Sequence, residues 1–225
     1  KTDWGNADKF YKNALEINTK KNDKYEIAED HRNRSNLYLQ KEDWDLCEKL
    51  SLQSLEIAEE ISDLRNVCHD SRILGKVYAE KKSRNKQEEY CKKALEVSIK
   101  LKDEAEQRID HRNLGELCLG RGYKGRSEDH FKAALEISVK KSEKKEIATD
   151  YRHMGNLSFN NGDRVEAEKY YRDALNLTLE VGDKNGTAQD YTYIGNLKFK
   201  DGQVDEAEVN FDKAVDYFRE AKNKA

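Results

Sequence analysis

The chain writes one pattern over and over at a spacing of forty residues. Residues 150–157 read "DYRHMGNL", and the stretch returns as "DYTYIGNL" from Asp190, "DHRNLGEL" from Asp110, "DSRILGKV" from Asp70 and "DHRNRSNL" from Asp30. Laid out in rows of forty from residue 1, the 225 residues align without insertion or deletion. One column holds Ala14, Ser54, Ala94, Ala134, Ala174 and Ala214; another holds Ser35, Gly75, Gly115, Gly155 and Gly195. A fixed period restricts the chain to architectures in which each unit packs only on its neighbours, so its length sets no limit on a single core.

Each unit carries two helical patterns. Ala148, Tyr151, Met154, Gly155 and Ser158 recur at steps of three and four, which at 100° per residue puts them on one face. In "RVEAEKYYRDALNLTLEV" a second stripe runs through Val165, Ala167, Tyr171, Ala174, Leu175 and Thr178. Between them "NNGD" makes a turn, with Asp163 as N-cap and Glu166 completing a capping box. No segment alternates long enough to make a strand, so the expected class is all-α. Antiparallel helix pairs approach within about 8–10 Å only over small side chains, which assigns Gly155 and Ala174 to helix contacts. Such pairs bury their second face by stacking, with first helices lining a concave side.

These residues resemble the tetratricopeptide repeat: Tyr151, Met154-Gly155, Ser158, Gly162 in the turn, then Ala167, Tyr171 and Ala174. The steady forty is similar to the longer repeats of the Pins/LGN-type adaptors. The resemblance implies a right-handed superhelical solenoid of antiparallel helix pairs, about eleven helices, that binds proteins or peptides and needs no cofactor. Row one starts at the second helix, giving a half repeat over residues 1–22 and full repeats over 23–62, 63–102, 103–142, 143–182 and 183–222. With a start at Lys1 rather than Met, we expect a piece of a longer array. The chain has no proline, where the family often ends its second helix with one, which implies less sharply defined helix ends.

Composition narrows the partners. Lys and Arg number 42 against 45 Asp and Glu, a net charge of −3 that lacks the basic surplus phosphate binding wants and argues against nucleic acid. No apolar run approaches the roughly 20 residues of a membrane span, and no signal-peptide core is present. Cys47, Cys68, Cys91 and Cys118 fit neither zinc spacing nor a disulfide framework; they fall in packing columns as small buried thiols of a reducing, cytoplasmic compartment. Residues 120–125, "GRGYKG", satisfy G-x-G-x-x-G by letter, but they fall at a helix-to-helix turn, without the preceding strand of a dinucleotide site. His31 and His111 share a column with Tyr151 and Tyr191 and fill an aromatic slot. No metal or catalytic constellation appears, and we expect no enzyme.

Two polar columns persist beside the core. Arg32 with Asn36, Arg72 with Lys76, Arg112 with Glu116, Arg152 with Asn156, and Thr192 with Asn196 lie on the side of the first helix away from the second. Four arginines would then ladder up the groove, with Phe159 and Phe199 adding an apolar strip, to hold an acidic peptide by bidentate contacts. On this reading Arg112 and Arg152 are exposed, and reversing both costs stability little. Glu29 and Glu116 are the acids placed to neutralise Arg32 and Arg112 within a helix. The Asp column, Asp30, Asp70, Asp110, Asp150 and Asp190, lies on the flank and makes a structural bond to a neighbouring repeat. The alternatives are a self-assembling solenoid acting through its ends or convex face, with the face carrying Phe10 and Tyr11 lacking a first-helix partner and Tyr217 or Phe218 on a bare end, and a regulatory arm of a larger signalling protein.

Overall fold

The computed structural model describes residues 4–222, which form eleven helices and no strand. They are α1 (Trp4–Lys21), α2 (Lys24–Gln40), α3 (Trp44–Glu60), α4 (Leu64–Glu80), α5 (Arg84–Lys100), α6 (Glu104–Gly120), α7 (Lys124–Lys140), α8 (Lys144–Asn161), α9 (Arg164–Glu180), α10 (Lys184–Lys200) and α11 (Val204–Lys222). Two compact units divide between Asp110 and His111. In the first, α2 pairs with α3 and α4 with α5, while α1 packs on α2 and α3 on α4. In the second, α8 pairs with α9 and α10 with α11, while α7 packs on α8 and α9 on α10.

The turns explain the regular spacing of helices. A residue with positive φ follows at Asn22, Glu42, Ser62, Lys82, Lys102 and Ser142, with φ between 55° and 58°, and at Gly122, Gly162, Gly182 and Gly202. Each closes a Schellman motif: the Asn22 N–H donates to the Thr19 carbonyl and the Asp23 N–H to the Asn18 carbonyl, both at 3.1 Å. Asp23 then caps α2, its carboxylate accepting the Glu26 N–H at 3.2 Å, so one residue ends a helix and starts the next. Helix ends are therefore sharp without proline, contrary to the expectation from its absence. Asp163 is the N-cap of α9 as expected, accepting the Glu166 N–H at 2.9 Å. Its own N–H is already committed to the Ser158 carbonyl at 2.9 Å, and the Glu166 side chain instead accepts from Ser158 Oγ at 3.4 Å. The GxGxxG letters fall on this same kind of turn, with Gly122 at φ 77°.

Packing follows the small-residue column. A Cβ added at Gly155 would lie 2.5 Å from the Tyr171 ring, and one at Gly195 would lie 2.7 Å from Phe211. Gly75 faces the slim Cys91, whose Sγ would stand 3.1 Å away. Ser35 breaks the glycine column, and its facing position is correspondingly small: Ser35 Oγ lies 2.5 Å from Ser51 Oγ. The chain thus trades volume between the two helices of a pair, keeping packing density where one side grows. In the first unit Leu55, Ala58, Val67, Leu74, Tyr78 and Val97 build one cluster; in the second, Tyr171, Leu175, Ile194 and Leu197 build another. All four cysteines are buried and none forms a disulfide, and burial pushes the Cys68 thiol up to about 11.

These contacts separate two otherwise identical substitutions. Gly155→Ala should cost about 1–3 kcal/mol or more in urea denaturation, because the Tyr171 ring must leave its rotamer. For Gly75→Ala, the gain in helix propensity, about 1 kcal/mol, offsets a contact that thiol movement can relieve, so stability should change little. Equal losses at both sites would contradict this account.

Candidate functional site

Arginines of the groove column and aspartates of the flank column meet each other. In the first unit Arg72 on α4 reaches Asp110 on α6: its Nε donates to Oδ1, and its Nη2 donates to Oδ2 at 2.7 Å and to the Glu106 carbonyl at 2.9 Å. Glu106 also pairs with Nη1. In the second unit Arg112 on α6 donates to Asp150 on α8 at 2.5 Å, to the Glu146 carboxylate at 2.7 Å and to the Glu146 carbonyl at 2.9 Å. Arg152 on α8 binds Asp190 on α10 through Nε and Nη2. Each pair spans 38 residues and links the first helix of one repeat to the first helix of the next.

The aspartate also holds the intervening helix. Ser138 Oγ of α7 donates to Asp150 Oδ2 at 2.5 Å, Thr178 Oγ1 of α9 donates to Asp190 Oδ2 at 2.7 Å, and Asn18 Nδ2 of α1 donates to Asp30 Oδ2 at 2.8 Å. One carboxylate thereby fastens three helices in the second unit. Asp110, Asp150 and Asp190 are at most 1 % exposed. Burial drives the Asp190 carboxyl above the ordinary range, against the pull of Arg152 and Thr178. For Arg112, burial lowers the guanidinium but Asp150 and Glu146 outweigh it, and the net direction is up.

The inter-repeat role read for the aspartates therefore holds at Asp110, Asp150 and Asp190, whereas the arginines differ from expectation. Arg72 and Arg112 are partly buried, Arg152 is buried, and all three already carry carboxylate partners. Their persistence has a packing cause, and reversing Arg112 and Arg152 would set new carboxylates against buried ones. The remaining residues scatter. Asn36 Nδ2 sits 3.4 Å from His69 Nε2, and Asn156 accepts the Tyr171 hydroxyl at 2.7 Å. Phe159 packs on the α9/α10 cluster beneath Arg164, while Lys76, Glu116, Asn196 and Phe199 are exposed. Glu116 lies 3.5 Å from His153, whose ring stacks on Phe131 and is pushed by burial down to about 4.

The junction between α2 and α4 breaks the series. Arg32 pairs with Glu29 on its own helix, as the three-residue spacing suggested, and does not reach Asp70. Asp70 is fully buried, and neither of its oxygens has a hydrogen-bond donor among the described residues. Beside this junction, a cavity of about 510 Å³ opens between α2, α4 and α6, lined by Tyr25, Glu29, Arg32, Arg65, Asn66 and His69 among others. Sequence reasoning missed Arg65, an exposed cation on that wall, because its column carries no repeated arginine. Among the described residues no three metal-ligating side chains converge, and no helix is long and apolar enough to cross a membrane.

The tetratricopeptide-repeat family model matches residues 146–221, the last helix pairs of the array. Over those residues the chain carries tetratricopeptide repeats. Its fold is similar to that of BtubC (BKLC) from P. vanneervenii, at 19% identity and TM-score 0.81, covering 100% of this chain and 94% of that one. A Rap protein complexed with competence and sporulation factor aligns at 18% identity and TM-score 0.73, over 89% of this chain and 56% of that one. Aspartyl phosphate phosphatase F from Bacillus subtilis aligns at 16% and TM-score 0.77, over 92% of this chain and 55% of that one. The repeat array thus spans little more than half the length of those two proteins. No curated protein matches the sequence.

The pairing makes the arginines structural. Arg152→Gln should destabilise by about 3 kcal/mol, because it leaves Asp190 buried without its counter-charge. Lys76→Gln, at an exposed site in the same repeat pattern, should stay within about 0.5 kcal/mol. Thermal and urea unfolding compare the two; an Arg152→Gln protein as stable as its parent would return that residue to a solvated face.

Proposed function

We propose that the chain is a protein-interaction module that takes an extended or helical peptide in the groove lined by its first helices α2, α4 and the start of α6. The observation that carries this reading is the cavity between α2, α4 and α6, polar-walled and left open where other first-helix junctions are tied by arginine. The fold shared with a Rap protein solved in complex with competence and sporulation factor supports a ligand-binding role. Four buried cysteines without a disulfide among them support a reducing, cytoplasmic setting. An acidic ligand, expected from the arginine ladder, loses three of its intended contacts to Asp110, Asp150 and Asp190. The exposed cations that α4 leaves for an acidic side chain are Arg65 and Lys76, one on each side of Arg72.

A screen of immobilised peptides tests this. Arg65→Glu with Lys76→Glu should weaken the selected acidic peptides at least tenfold while leaving unfolding unchanged, since both sites are exposed. Retention of full affinity by that double variant would remove the acidic-peptide reading.

A second reading, self-assembly through the ends, is favoured by Phe10 on α1 at 69% exposure and Phe218 on α11 at 38%. Tyr217, by contrast, stacks on Tyr191 at 5.7 Å. Sedimentation velocity distinguishes the readings: a concentration-dependent dimer abolished by Phe10→Lys supports assembly, and a monomer throughout excludes it.

A further inference from the structure

The broken junction has a local cause. Where Arg72 and Arg112 find a second carboxylate on the next first helix, at Glu106 and Glu146, the matching position beside Asp70 is Asn66. Glu29, one turn before Arg32, supplies the missing carboxylate, and Asn66 Nδ2 secures it by donating to Oε1 at 3.1 Å. The second-helix donor fails as well: the position that holds Asn18, Ser138 or Thr178 elsewhere holds Ala58 here. Ser54 Oγ is near, but it donates to the Ala28 carbonyl at 3.0 Å. Asp70 is left fully buried beside Ser54, with no hydrogen bond to either of its oxygens among the described residues.

We propose that Arg32 is a two-position latch between α2 and α4, held on Glu29 while Asp70 is protonated and transferred to Asp70 when that carboxyl ionises. The two positions are alternatives because one guanidinium serves two acids on different helices. On Asp70 it would complete the series that Arg72, Arg112 and Arg152 form with Asp110, Asp150 and Asp190. On Glu29 it forms part of the wall of the 510 Å³ cavity. The latch thus regulates the site proposed above, and it rests on that reading only for its consequence to a ligand.

The charges around Asp70 fit a change near neutrality. Burial pushes its carboxyl up to about 7, against the pull of Ser54 from α3 and Arg32 from α2, with Glu29 of α2 and Asp63 at the start of α4 adding to the rise. Because its folded value lies above the unfolded one, the stability Asp70 contributes is present below about pH 4 and is lost as pH rises towards 7, unless Arg32 moves to meet the charge. His69 does not confuse this window, since burial and then Arg32 and Arg72 hold its ring below its ordinary value. Cys68, pushed up to about 11, stays a thiol throughout.

The test is a double-mutant cycle of Arg32→Gln and Asp70→Asn on the full chain without peptide, by urea unfolding at pH 5.5 and 8.5. The latch predicts coupling below twofold in the unfolding constant at pH 5.5 and above tenfold at pH 8.5. Equal coupling at the two pH values, or none at either, overturns it. Carbon-detected titration of the Asp70 carboxyl in parent and Glu29→Gln proteins gives a second reading that does not require the Arg32 variant to fold. Freed from Glu29, Arg32 should settle on Asp70 and lower its midpoint by at least one pH unit; an unmoved midpoint overturns the latch. Since neither measurement uses a ligand, both can succeed while the peptide screen fails, and the reverse holds equally.

Discussion

A buried arginine–aspartate bond between successive first helices is what the repeat register depends on. Removing a guanidinium and a carboxylate from water is costly, and only a bond with good geometry and further donors offsets it. At Asp150 those conditions are met by Arg112 and Ser138, and at Asp190 by Arg152 and Thr178. An apolar contact of equal volume could stabilise as much, but it would tolerate sliding. A bidentate pair does not, because a shift of one residue on either helix strands both charges in a dry interior. Where they form, at Asp110, Asp150 and Asp190, the ion pairs therefore set how one repeat sits on the next.

Within a helix pair the governing constraint is volume. Glycine at 155 and 195 admits a full aromatic ring from the second helix, whereas Gly75 meets Cys91 and Ser35 meets Ser51. Small partners in the first rows and aromatic ones in the later rows are accommodated with little change in helix length, because the Schellman turns at twenty-residue spacing fix where each helix stops. Six of those turns place a non-glycine residue at positive φ, a strain of about 1–2 kcal/mol each. Aspartates at 23, 43 and 63 counter it by capping the next helix as they close the last.

Most of this architecture was legible because it is local. Periodicity gave the helices, the small-residue column gave the contacts, and the aspartates were read correctly as ties between repeats at three of the positions. The arginines were misread for a physical reason. Helical projection shows which way a side chain leaves its own helix, and Arg152 does leave on the groove side; it does not show that a long side chain reaches across to the next first helix. The signal was present all the same: Arg32, Arg72, Arg112 and Arg152 each have an aspartate 38 residues on. The exception at Arg32 could not be read that way, since its letters fit the rule and only Glu29, Asn66 and Ala58 around it break the bond. Nor did the repeat signal Arg65, which stands alone in its column.

The central claim is that Arg112 and Asp150 stabilise the array as a pair rather than singly, and a double-mutant cycle of Arg112→Gln and Asp150→Asn in equilibrium unfolding tests it most directly. The account predicts that each single change costs about 3 kcal/mol and that the double costs much less than their sum, a coupling of about 2 kcal/mol or more. Costs that add to within about 0.5 kcal/mol would show that the two side chains act independently, and would contradict it.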